Sequence, residues 1–348
     1  MKLAAPIAAF SFAFAAFSVP ALAQDCKLQM VNSISMMPAG PGGRMLVPVT
    51  INGTPKQFLL DTGSSLSELT ESTAKALGLH VLDGARIKLL DTAGNATRRY
   101  THVNDFQIGT MHGDFDMMIS STEGNAPNGP IDGMLAGDLM SRYDVEFDFA
   151  GRKLNYFIPN NCNGHVIYWP SSVVAVVSIK LGQPMRNIPF GGGLGNPDDP
   201  HIRVPITLEG KTFDAVLNTG APNSTMSAET AKRVFGLTAD SPGSVPLGTA
   251  GGAKVFGHVF DSLTFEGVTV NQPHVVIRPD LIGSKDPDNG VRTDSRALRV
   301  DDGIGPEVTL GMDVLKHLHL YVAYKEKKLY LTPADAPAAA PDAAAAKP

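Results

Sequence analysis

Phe58-Leu59-Leu60-Asp61-Thr62-Gly63 and Ala215-Val216-Leu217-Asn218-Thr219-Gly220 are one element written twice, 157 positions apart. Each carries an apolar run onto a short polar residue and then Thr-Gly. Upstream, Val47-Pro48-Val49-Thr50-Ile51 with Asn52-Gly53 matches Val204-Pro205-Ile206-Thr207-Leu208 with Glu209-Gly210 at the same offset. Downstream, Ser72-Thr73-Ala74-Lys75 matches Glu229-Thr230-Ala231-Lys232, and Leu90-Asp91-Thr92-Ala93-Gly94 matches Leu247-Gly248-Thr249-Ala250-Gly251. Further on the offset becomes 175: Leu139 after Gly137-Asp138 corresponds to Val314 after Met312-Asp313. The extra 18 residues fall between about Ile277 and Gly303, a polar stretch with loop chemistry. Self-similarity at a fixed offset over this much chain marks a duplicated structural unit.

Within each copy the pattern is mostly strands. Asn52-Gly53 between β-rich runs predicts a hairpin turn. Residues 67–79 and 224–237 carry apolar positions at helical spacing, predicting one short helix after each Thr-Gly element. Residues 144–149 alternate with period two, 152–157 follow a tight turn, and 319–331 repeat that hairpin. With 35 Gly and 26 Pro in 348 residues, short strands and turns are favoured over long helices.

Apolar residues make up 43% and charged residues 18%, a core-forming composition rather than a disordered one. The net charge of −5, with no run of basic residues, argues against a nucleic-acid partner. Lys2, the uncharged apolar run 7–19, Pro20 and Ala21-Leu22-Ala23 predict a cleaved signal peptide over 1–23. That run is too short to span a bilayer, so no stable membrane anchor is expected after cleavage, and the location is periplasmic or secreted. Cys26 and Cys162, the two cysteines of the chain, are then expected to form a disulfide in an oxidising compartment. The remaining organisation reads as an N-terminal segment 24–43, lobe 1 over 44–158, an interlobe linker 159–199, lobe 2 over 200–333 and a disordered Ala/Pro tail 334–348. The run Gly191-Gly192-Gly193-Leu194-Gly195 is followed by Pro197 and Pro200 and reads as linker, not as a phosphate-cradling loop.

The Asp-Thr-Gly element has a physical rationale. Gly permits close backbone approach, and Thr can hydrogen-bond across to a partner element. An Asp held there beside a second acid gives two carboxyls that share one proton, one serving as base toward water and the other as acid. Other chemistry has weaker support. His317-Leu318-His319 lacks an acidic or Cys cluster and reads as surface histidines, so no metal and no cofactor are expected. There is no His-Glu-x-x-His and no Gly-x-Ser-x-Gly; Ser64 and Ser65 read as turn residues, and Tyr168 and Trp169 as packing residues of the linker.

Leu59-Leu60-Asp61-Thr62-Gly63-Ser64-Ser65, the later Thr92-Ala93-Gly94 and Leu310-Gly311-Met312-Asp313 resemble the aspartic peptidases, specifically the bacterial retropepsin-like branch with two lobes in one chain. The resemblance covers about residues 44–158 and 200–333. It implies a mainly β fold of two homologous closed β-barrel lobes, each with one or two short helices, and an active cleft between them. It makes Asp61 the catalytic aspartate and puts Asn218 at the second catalytic position, where the family has Asp. Thr62, Gly63, Thr219 and Gly220 would support the site. Thr92, Ala93, Gly94 and Thr249, Ala250, Gly251 would lie in flaps over a peptide or protein substrate. Ala136 stands where lobe 2 has Gly311.

Asn cannot exchange a proton with water or substrate. Three readings follow: an exported aspartic endopeptidase, an impaired relative that binds extended peptides by strand addition without cutting them, and a homodimer in which Asp61 residues of two chains face each other.

Overall fold

The computed structural model describes residues 27–334 apart from 86–88, 91–95, 121–122, 128, 160–161, 172, 182–199 and 282–305. The signal segment, Cys26, the glycine-rich run, the 18-residue insertion, the C-terminal tail beyond 334 and Thr92-Ala93-Gly94 all lie outside the described residues.

Asn52 and Gly53 both adopt positive φ, 48° and 78°, as a two-residue hairpin turn of matching twist requires. They join Met45–Ile51 to Thr54–Leu60 with Ile51 opposite Thr54. Glu209 and Gly210, at 47° and 75°, do the same between Arg203–Leu208 and Lys211–Leu217. In lobe 1 the strands close on themselves. The order is Met45–Ile51, Thr54–Leu60, Gly133–Leu135, Glu68–Thr70, Met111–Ser120 and Tyr100–Ile108, which returns to Met45–Ile51 through Thr50↔Gln107 and Ile51↔Phe106. Val47, Val49, Ile51, Phe58, Leu60, Val103, Phe106 and Ile119 fill this barrel from alternate positions.

Lobe 2 repeats the circuit with its two long strands interrupted. Ala253–Val259 and Ser262–Phe265 together occupy the place of Tyr100–Ile108, and Val268–Asn271 and His274–Arg278 the place of Met111–Ser120. The break has a local cause: Pro273 has no N–H for the ladder, and Gln272 sits at φ 48°. Beyond it, Thr207↔Thr264 repeats the closing pair Thr50↔Gln107.

The helices begin later than their spacing predicts. Glu68–Thr70 and Thr225–Ser227 are short strands, and the helices Glu71–Ala76 and Ala228–Phe235 follow them. Thr70 and Ser227 are the N-caps, accepting from the N–H groups of Thr73 and Thr230. Helical periodicity upstream of the caps is overridden by parallel pairing with Met111–Ser120 and His274–Arg278. No helix among the described residues is long and apolar enough to cross a membrane.

A third, six-stranded sheet joins the lobes in the order Met30–Ser35, Lys153–Phe157, Asp144–Asp148, Leu318–Ala323, Lys328–Pro333 and Ala175–Ser178. Its middle pair is antiparallel, with Val145↔Val322, Glu146↔Tyr321, Phe147↔Leu320 and Asp148↔His319. Its last strand comes from the segment between the two repeats. His317 is exposed, but His319 is buried, which corrects the reading of this pair as surface histidines. His319 Nε2 lies 2.7 Å from Glu146 Oε1, and Trp169 stacks flat on its ring at 3.9 Å. Tyr168 Oη and Asn155 Nδ2 donate to Glu146 Oε2 at 2.6 and 3.0 Å, so the buried carboxylate is paired from both lobes.

Candidate active site

Asp61 follows strand Thr54–Leu60 and Asn218 follows Lys211–Leu217, each at the point where that strand runs parallel to a short neighbour. The neighbour fixes the loop: Asp61 N–H donates to Leu135 O and Asn218 N–H to Leu310 O, both at 2.9 Å. Each loop then folds back on its own side chain. Gly63 N–H donates to Asp61 Oδ1 at 2.9 Å, and Gly220 and Ala221 N–H donate to Asn218 Oδ1 at 2.8 and 3.0 Å.

The loops are locked across the lobes. Thr62 Oγ1 donates to Leu217 O at 2.7 Å and accepts from Thr219 N–H at 3.1 Å. Thr219 Oγ1 donates to Leu60 O at 2.9 Å and accepts from Thr62 N–H at 3.1 Å. Both threonines are buried, so no water competes for these bonds. The glycines are required by close approach rather than by φ. A Cβ on Gly63 would lie 2.1 Å from Asn218 Nδ2, and one on Gly220 would lie 2.5 Å from Asp61 Cγ. Each polar side chain therefore rests on the glycine of the opposite lobe, and Asp61 and Asn218 are brought together as the repeat implies.

Behind the loops sits a second repeated device absent from the sequence reading. Ser67 N–H and Oγ donate to Asp138 at 3.0 and 2.7 Å, and Ser224 Oγ donates to Asp313 at 2.8 Å. The same hydroxyls accept from Ala136 N–H and Gly311 N–H. The offsets of 157 and 175 already pair these residues, so the repeat itself carried the signal. Lobe 2 needs Gly311 because a Cβ there would lie 2.4 Å from the Asn223 carbonyl carbon. Lobe 1 accommodates Ala136, fully buried, at the matching place.

Burial pushes the Asp61 carboxyl above its ordinary range. The N–H of Gly63, the charge of His201, the N–H of Gly220 and the charge of Arg44 oppose that shift without cancelling it. Asp138 is raised for the same first reason, against its bonds from Ser67. Thr249, Ala250 and Gly251 lie at the tip of the hairpin formed by Val245–Ala250 and Ala253–Val259, with Val245 and Leu247 exposed. In lobe 1, Leu89–Leu90 pairs with Ala96–Thr97 on either side of the undescribed Thr92-Ala93-Gly94. Among the described residues, no cluster of three or more His, Cys, Asp or Glu could hold a metal ion.

A family model described as aspartyl protease matches residues 47–139 and 204–314, one match on each repeat. No curated protein sequence matches the chain. Among solved structures, a retropepsin-like aspartic protease from Rickettsia conorii aligns at 17% identity and TM-score 0.25, over 38% of this chain and 94% of that one. An aspartic proteinase from Irpex lacteus aligns at 12% identity and TM-score 0.44, over 87% of this chain and 97% of that one.

Thr62→Val leaves Leu217 O and Thr219 N–H buried without partners, at about 1–3 kcal/mol each. Urea unfolding of that variant is expected to show a loss of about 2–6 kcal/mol, and Thr62→Ser a much smaller one. Wild-type stability in Thr62→Val would mean that the cross-lobe bonds do not hold the lobes. The raised Asp61 carboxyl gives a second expectation. Ionising it costs the folded state, so the penalty is absent below the unfolded pKa near 3.8 and complete once pH has risen through the folded value. Asp61→Asn is expected to melt above wild type at pH 7, with the gap closing below about pH 4. A gap that widens toward acid would contradict it.

Proposed function

The chain belongs to the aspartyl protease family, and on that premise we propose that it is an exported peptide hydrolase with a one-carboxylate site. Asp61 as carboxylate takes a proton from water, and the oxygen attacks the peptide carbonyl. The same proton then passes to the amide nitrogen as the C–N bond breaks. Asn218 donates from Nδ2 toward the reacting oxygens and orients Asp61, but supplies no second acid. The observation that carries this reading is the cross-lobe packing of Asp61 over Gly220 and of Asn218 over Gly63.

One carboxyl also sets the pH dependence. The rate rises as Asp61 ionises, and no second acid imposes a falling limb. A positioned general acid is worth about 10²–10⁴ in rate, so Asn218→Asp is expected to raise kcat by about that factor and to make the profile bell-shaped. Asp61→Asn is expected to abolish cleavage. Efficient cleavage by wild type with no gain in Asn218→Asp would overturn the single-chain site.

Asn218 together with exposed Val245 and Leu247 on the lobe 2 hairpin favours one second reading, capture of extended peptides without cleavage. Peptide retained uncut by wild type and cut by Asn218→Asp would select it. Pairing two Asp61 residues from different chains requires the Thr62–Thr219 bonds to open in both.

Export rests on the 1–23 segment and is coupled to the Cys26–Cys162 disulfide. Support comes from register. Met30 lies opposite Phe157, and Ile158 N–H donates to Gln29 O at 3.0 Å, so the chain leading into Met30 runs antiparallel to the chain that leaves Phe157 toward Cys162. There is no free cysteine among the described residues. Closing so long a loop is worth about 4–5 kcal/mol in the chain-entropy description. Thiol titration of the mature, denatured protein is expected to find none before reduction and two after. Two thiols without reduction would overturn the bridge.

A further inference from the structure

Arg44 and His201 stand at the repeat offset of 157, just ahead of the first strand of each barrel. Among the described residues, these two cationic side chains favour the ionised form of Asp61. One comes from each lobe, and the site that has Asn218 in place of a second carboxyl has His201 in place of a second arginine. His201 reaches it by a fixed path. Leu217 N–H donates to Ile202 O at 3.0 Å, tying the residue after His201 to the strand that leads into Asn218. Pro200 packs on Gly137, where a Cβ would lie 2.5 Å from Pro200 Cβ, and this fixes the chain on the other side.

From there the imidazole crosses to lobe 1. Nε2 lies 2.9 Å from Gly63 O and Nδ1 lies 3.3 Å from Ser65 Oγ. A carbonyl only accepts, so Nε2 carries a proton in this contact. Ser65 can donate to Nδ1 or accept from it, so the contact is compatible with the neutral and the charged ring alike. Gly63 in turn donates its N–H to Asp61 Oδ1. The chain of contacts therefore runs from His201 of one lobe, through a single peptide residue, to the carboxylate of the other.

Further charged groups pack on or near this loop. Glu68 receives the Ser64 hydroxyl at 3.3 Å, Asp138 holds Ser67, Asp313 holds Ser224, and Lys316 lies beside Gly43.

We propose that His201 is a positioning residue for Asp61: from the repeat position of Arg44, its imidazole holds the Gly63 carbonyl across the lobes, and through Gly63 holds the carboxylate in place where the second acid has become Asn218. From the same seat, the charged ring favours the ionised form of Asp61. The consequence for catalysis rests on the peptide-hydrolase reading; the hold on Asp61 does not. The test separates hydrogen bond from charge. His201→Gln keeps a donor and loses the charge, whereas His201→Arg keeps the charge and copies Arg44.

The readout is the pH titration of the Asp61 carboxyl carbon by NMR in full-length mature protein, assigned by its loss in Asp61→Asn. Melting curves verify that each variant is folded, and His201→Asn replaces His201→Gln if the latter is not. The expected result is a midpoint moved to higher pH in His201→Gln and restored toward wild type in His201→Arg. An unmoved midpoint in His201→Gln, or an equal upward move in His201→Arg, overturns the proposal. Where cleavage is measurable, the rising limb of the pH–rate profile is expected to move with the midpoint. A shifted midpoint with no cleavage by any form would sink the hydrolase reading and leave the role of His201 standing.

Discussion

Four hydrogen bonds between Thr62 and Thr219 and the backbone beneath them hold this molecule's two halves in register. Each threonine hydroxyl gives one bond and takes one, both across the lobes, so neither is satisfied within its own lobe. Because the group is buried, a slip of either loop would strand several polar atoms at once, a cost no single contact could offset. The separation of Asp61 from Asn218 follows from that constraint, and so does the need for glycine at 63 and 220.

The larger sheet under the lobes serves the same end at longer range. Its central pair, Asp144–Asp148 with Leu318–Ala323, lies on the approximate two-fold axis relating the repeats. Fusing both halves in one chain leaves the related positions free to differ. Asp61 faces Asn218, Arg44 answers to His201, Ala136 to Gly311, and two unbroken strands answer to four short ones. Burial raises the Asp61 carboxyl, and the cationic groups that temper it come one from each lobe.

Much of this was legible in residue order. Asn52-Gly53 announced a hairpin, and the offset of 157 set Asp61 against Asn218 before any geometry was known. What escaped was non-local. Glu68–Thr70 reads as helix by periodicity, and only its partner strand more than forty residues away makes it β. His319 looks like a surface residue until Glu146 and Trp169, distant in sequence, close over it. His201 lies beside a glycine-rich run that draws the eye to flexibility, and its meaning depends on a carbonyl 138 positions earlier.

The register at the centre of the interlobe sheet also decides which halves can live together. Tyr321 occupies the lobe 2 place of Glu146, and His319 the place of Asp144. Were two copies of lobe 1 to meet through this strand, Glu146 would confront its own copy and Asp148 would confront Asp144. Glu146 and Asp144 are both buried here, so such a meeting would press like charges together away from water, without the imidazole that now partners Glu146. Lobe 1 thus repels itself and accepts lobe 2. The edge that welds the chain into one body also disfavours the pairing of its first half with the first half of a neighbour.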